Sequence, residues 1–166
     1  MKQVPLTQGQ FAIIDDEDYE FITQWKWFAM KKKRGYKTIF YAARRSTKIV
    51  NGVRRRCMIW MHREINKTSN NSLTDHKDGN GLNNIRSNLR DATQRQNSRN
   101  VKSAYGVSKY KGVHWDKQKN KWRASIRIDG RLKCLGRYYN EEDAANAYNV
   151  AAKSEFGDFY SKGMRE

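Results

Sequence analysis

Cysteine is scarce in this sequence, long apolar runs are missing, and acidic side chains are outnumbered. Of 166 residues only Cys57 and Cys134 are cysteines, far apart and outside any Cys-x-x-Cys pair. A zinc site built on thiolates is therefore not available, and His62, His76 and His114 are too scattered to supply one. No apolar stretch approaches the ~20 residues that span a bilayer, and no strongly amphipathic basic helix suggests insertion into a membrane surface. The opening residues, MKQVPLTQGQ, lack the apolar core of a signal peptide, so a reducing, intracellular setting is expected, nucleoid-associated or phage-encoded.

What is abundant is positive charge. Lys and Arg number 34 against 17 Asp and Glu, a net charge of +17. Such an excess favours a polyanion through counterion release, and nucleic acid is the partner it implies. Hydrophobic content of 37% is low for one large core, while 12% aromatic residues can build compact small ones, so two small modules are expected.

The densest chemistry lies between Asp75 and Asn97, in DHKDGNGLNNIRSNLRDATQRQN. Large apolar side chains are few there, and Asp, His and Asn crowd together. Asp75 and His76 offer an oxygen ligand beside an imidazole that is mostly neutral, hence basic, at pH 7. Asn88 and Asn97 are neutral oxygen donors suited to holding a ring or a hard cation. Gly79 and Gly81 favour a tight turn between two short strands. Leu89, Arg90 and Ala92 fit the return strand, and Thr93 an N-cap for a helix carrying Asn97.

Asp75-His76, the DGN turn, Asn88-Leu89-Arg90 and Asn97 together resemble the ββα-metal motif of the HNH endonucleases, in particular their phage homing branch. The resemblance implies His76 as general base, Asn88 as the residue orienting its ring, and Asp75 and Asn97 as ligands of one divalent ion. Asn at the last position of the pattern suits Mg²⁺ or Mn²⁺, and no structural zinc is expected. The implied reaction is phosphodiester hydrolysis, with Arg90 expected to contact DNA.

Upstream, Val4 to Ile14 reads as a strand pair around Gly9. Asp15 or Asp16 is placed to cap a helix through about Trp25, with Phe21, Ile22, Trp25 and Phe28 at near-helical spacing. The acidic run Asp15 to Glu20 is expected to face away from DNA. Asn51-Gly52 between two β-prone runs signals a hairpin. In its second strand Met58, Trp60 and His62 would share one face, and Cys57, Ile59 and Met61 the other. The basic runs Lys31 to Arg34 and Arg54 to Arg56 are candidate phosphate contacts. His62 also matches a His common upstream of the HNH motif, and is read as a buried structural residue.

Residues 98–110 are small and polar without periodicity, and 99–108 are read as a linker. Beyond it come three short strands with turns at Asp116 to Asn120 and at Asp129-Gly130, then a helix capped by Asn140 and ending at Gly157. Arg123, Ser125 and Arg127 alternate with Trp122, Ala124, Ile126 and Ile128. Tyr110-Lys111-Gly112-Val113, Trp122-Arg123-Ala124, Leu135-Gly136 and the alanine-rich helix resemble the plant ethylene-response-factor (APETALA-type) DNA-binding domain. That likeness implies a sheet in the major groove, with Lys111, His114, Arg123, Ser125 and Arg127 facing DNA. His114 stands where that family has Arg, and Cys134 where it has an aromatic residue.

The expected fold is α+β: a nuclease domain over residues 1–98 with its ββα motif at 73–98, then a three-stranded antiparallel sheet on one helix over 109–160. The function this implies is site-specific, metal-dependent cleavage of double-stranded DNA, by a monomer or a homodimer on DNA. A non-catalytic DNA-binding regulator is the alternative. RNA binding is weaker, because the alternating strand lacks paired exposed aromatics for stacking bases.

Overall fold

A computed structural model of the protein describes residues 1–34, 37–69, 71–99 and 107–160. Most of the expected linker, residues 100–106, lies outside them. The chain divides into two compact units, Met1–Gln94 and Arg95–Glu166. It is mixed α+β, with small antiparallel sheets and few helices among the described residues.

The first unit opens with the hairpin β1 (Lys2–Pro5) and β2 (Phe11–Ile14), joined through left-handed Gln8 and Gly9. The helix expected through Trp25 is much shorter. A 3-10 turn at Asp16–Asp18 leads into α1 (Tyr19–Ile22), and neither start has a side-chain cap. Its end is pinned from outside: Trp27 is buried and its indole N–H donates to the Ile22 carbonyl at 2.8 Å. Phe28, read as part of the helical stripe, instead begins a strand.

That strand, β3 (Phe28–Arg34), pairs with β4 (Lys37–Val50), which pairs with β5 (Val53–Trp60). Asn51 at φ 50° and Gly52 at φ 76° make the tight turn that matches strand twist. The β5 strand stops at Trp60, and α2 (Met61–Asn66) follows. Met61, His62 and Ile65 are buried at helical spacing, so the strand-face reading fails at Met61 and His62. The core gathers Val4, Ala12, Ile14, Ile22, Trp27, Ala42, Met61, Ile65 and Leu89. Against it lie β6 (Leu73–His76) and β7 (Leu89–Ala92), antiparallel, followed in the chain by α3 (Gln94–Arg99).

In the second unit β8 (Val113–Asp116), β9 (Lys121–Ile128) and β10 (Arg131–Tyr138) form a meander with β9 in the centre. It packs on α4 (Glu141–Phe156) through Val113, Ala124, Ala144 and Ala145, with Ile126, Tyr148 and Ala152 beside them. Asn140 holds the cap position in an extended conformation, but its side chain donates to the Asp143 carboxylate, not to the helix backbone. Gly112 leaves the room that the Tyr148 ring of α4 occupies. A Cβ there would stand 2.1 Å from the Tyr148 ring.

Candidate active site

Register places the chemistry. In the β6–β7 ladder Asp75 faces Arg90 and His76 faces Leu89. The loop between the strands, residues 77–88, is closed by its own polar side chains. Asp78 Oδ1 accepts from the Asn80 N–H at 2.8 Å and from Asn88 Nδ2 at 3.0 Å, and Asp78 Oδ2 accepts from Asn83 Nδ2 at 2.7 Å. Asn88 also accepts from the Asp78 N–H and donates to the Asn83 carbonyl. It is a clamp for the loop.

The ring of His76 is held by a different residue from the one expected. His76 Nε2 lies 3.1 Å from Oδ1 of Asn84, a side chain with no exposed surface. Asn84 Nδ2 donates to the Leu82 carbonyl at 3.2 Å and toward Met61 Sδ at 3.6 Å, so its oxygen must be the atom that faces the imidazole. An acceptor there puts the proton on Nε2 and leaves the basic lone pair on Nδ1. Sequence reasoning missed Asn84, which only its 0,+8 spacing from His76 and its place in the Asn-Asn pair could have flagged.

The loop is fastened to the rest of the unit at two places. The Ile13 N–H donates to Leu82 and the Asn84 N–H to Ile13, extending β2 along the loop. Arg86 donates to Asp18 at 2.6 and 3.0 Å, pairs with Glu17 at 2.7 Å, and its backbone N–H donates to Asp15. Asp15, Glu17 and Asp18 of the acidic run thus anchor the loop through Arg86. Gly81 lies so close to Phe40 and Tyr41 that a Cβ would sit 2.4 Å from the Phe40 carbonyl.

Tyr41 belongs to an aromatic wall around two histidines. His62 and His76 meet edge to face at 5.0 Å, Tyr41 lies about 6 Å from both, and Trp60 stacks on His62. Both rings are buried, at 8% and 5% exposure. Burial, reinforced by the neighbouring imidazole, pushes His62 down to about 3. Burial also lowers His76 below the usual histidine value, partly offset by the hydrogen bond to Asn84. Each ring is neutral at pH 7, the form a base requires. His62 Nδ1 is buried without a hydrogen-bond partner among the described residues.

Asp75 is buried and engaged. Arg90 Nε and Nη2 donate to its Oδ2 at 2.9 and 2.6 Å, with Arg90 itself largely covered. Arg90, expected to contact DNA, is thus engaged by Asp75 and mostly covered. Its guanidinium neutralises the buried Asp75 carboxylate, an oxygen donor of the kind that a hard divalent ion takes. Asn97 is half-buried on α3, in the chain segment assigned to the second unit. Among the described residues no cluster of three or more His, Cys, Asp and Glu is placed to hold a metal.

In the second unit His114, Arg123 and Arg137 are cross-strand neighbours on the sheet face away from α4. His114 and Arg127 are exposed, Arg123 and Lys111 half-buried, and burial lowers the Lys111 pKa. Ser125 is not on that surface: it is 5% exposed, with its N–H donated to the Gly112 carbonyl. Arg137 pairs with Asp116 at 2.8 Å, so His114 and Arg123 flank a charge already spent.

The chain has curated relatives. Over 158 residues, 92% of the chain, the sequence is 30% identical to an uncharacterized HNH endonuclease of Acanthamoeba polyphaga mimivirus, of which it covers 74%. A stretch of 58 residues is 40% identical to protein 3.8 of Escherichia phage T7, covering 48% of that protein. No family model and no solved structure matches. The chain belongs to the HNH endonuclease family.

Proposed function

We propose that this protein is a metal-dependent endonuclease that hydrolyses a phosphodiester of double-stranded DNA at a preferred site, of the homing type. The observation that carries the reading is the buried neutral His76, its tautomer set by Asn84 and its neighbour Asp75 already facing a cation. His76 Nδ1 takes the proton of a water in line with the scissile bond. Asn84 keeps the ring oriented while the charge on it rises, and Asn88 holds the loop that carries the ring's strand. On the sequence resemblance, Asp75 and Asn97 are the residues that would hold one Mg²⁺ or Mn²⁺ ion, which would supply charge compensation for the cleavage.

The second unit serves as the DNA anchor, in the manner of an ethylene-response-factor sheet, with His114, Arg123 and Arg127 as its exposed or half-exposed contacts. Phosphate contacts supply most of the affinity and base contacts the preference. One active site cuts one strand, so a monomer nicks and a double-strand break needs a dimer or two successive cuts. The setting proposed is inside a cell, with no membrane partner. The test is supercoiled plasmid carrying the gene's own flanking DNA, with Mg²⁺ or EDTA, wild type beside His76→Ala. Metal-dependent nicking that His76→Ala lacks is the expected result. Tight binding without cleavage in either Mg²⁺ or Mn²⁺ favours a non-catalytic DNA-binding regulator.

A further inference from the structure

The β4–β5 hairpin outruns its sheet. Strand β3 covers β4 only as far as Ala43, while residues 44–50 of β4 pair with 53–59 of β5 alone. At about 3.4 Å per residue this two-stranded ribbon is roughly 20 Å long. Its two faces differ. On one, Arg44 is held by Glu64 at 3.0 Å and lies over Trp25, Ser46, Cys57 and Ile59 are half-buried, and only Lys48, Val53 and Arg55 toward the tip are exposed. On the other, Arg45, Thr47, Ile49, Arg54, Arg56 and Met58 are all exposed, Ile49 at 70%.

We propose that this exposed face is a second DNA-reading element, seated in the major groove of duplex DNA. The inference rests on the reading of the protein as a DNA endonuclease and adds a site in its first unit. Two observations carry it. The chain has no acidic residue between Glu20 and Glu64, so the ribbon's arginines have no carboxylate neighbour in sequence to pair with. The face also mixes three arginines with Thr47 and the apolar Ile49 and Met58, where a mere phosphate grip would need charge only. Arginine forks read guanine edges, methyl-bearing side chains read thymine, and a two-stranded ribbon fits a groove about 12 Å wide.

The discriminating variant keeps the charge and removes the fork. The full-length His76→Ala protein, in EDTA so that no strand is cut, selects duplexes from a randomised library, with and without Arg45→Lys, Arg54→Lys and Arg56→Lys. The Lys variant is expected to bind random duplex with unchanged affinity and salt slope. It should lose part of the selected motif and bind the parent's motif about tenfold or more weaker, the scale of one lost bidentate contact. Methylation of guanine N7 in that part of the motif should block the parent protein, a readout that involves no ribbon variant. A Lys variant that enriches the same motif at the same affinity overturns the proposal, as does a parent that enriches no motif or ignores N7 methylation. Plasmid nicking by the wild type in any of those cases leaves the nuclease reading standing, whereas a parent that binds no duplex at all removes both.

Discussion

Asn84 decides which nitrogen of His76 is basic, and this can be measured. Because burial holds His76 below the usual histidine range, nicking in wild type should persist below pH 6.5 before the acid limb of the rate profile appears. Asn84→Ala is expected to lower kcat by about 10–100-fold, the usual effect of losing a partner that orients such a ring. Its acid limb should move lower still, since the lost hydrogen bond favours the protonated ring. Asn84→Asp should move that limb up, because a carboxylate stabilises imidazolium. Arg90 gives a second test. Arg90→Gln removes the cation that faces the buried Asp75, so the melting temperature in EDTA should fall. Mn²⁺ should then raise it by more than it raises wild type; equal metal shifts would mean that Asp75 is no ligand. The Asp75-His76 pair was legible in the sequence because adjacency needs no fold. Asn84 was not, because Asn80, Asn83, Asn84 and Asn88 share one loop and composition cannot say which amide reaches the ring.

At the scale of elements, turn chemistry was the clearest signal. Asn51-Gly52 and Asp129-Gly130 both adopt positive φ at the tips of hairpins, as their sequences demand. Helix starts read less well, since packing and not caps sets them: α1 stops at Ile22 where Trp27 folds back, and α2 begins at Met61 inside a β-prone run. The basic ribbon could be read as a hairpin, but its length beyond β3 depends on pairing partners distant in sequence. That overhang makes a prediction for the free protein. Arg55→Thr, a strand former that removes the repulsion with Lys48, should stabilise the first unit by about 0.2–1 kcal/mol in urea unfolding. The same change should weaken binding to duplex DNA at low salt.

Over the whole molecule, composition announced a polyanion partner and two modules, but not where each unit keeps its buried charge chemistry. The two units differ in one property that the His62–His76 contact sets. His62 in the unfolded chain takes up a proton near pH 6.5, while the folded ring resists until about 3. The folded pKa is depressed and the group is a base, so the unfolded state gains protons first and stability falls as pH drops through that window. The slope is about 1.4 kcal/mol per pH unit for one such ring, and His76, shifted the same way, adds to it. The second unit has only His114, which is exposed. Acid titration of the intact protein should therefore melt tryptophan signals of the first unit at a higher pH than those of the second, and His62→Phe should narrow the gap. Two imidazoles packed together out of water thus make acidity a specific poison for the first unit, which it disables by unfolding.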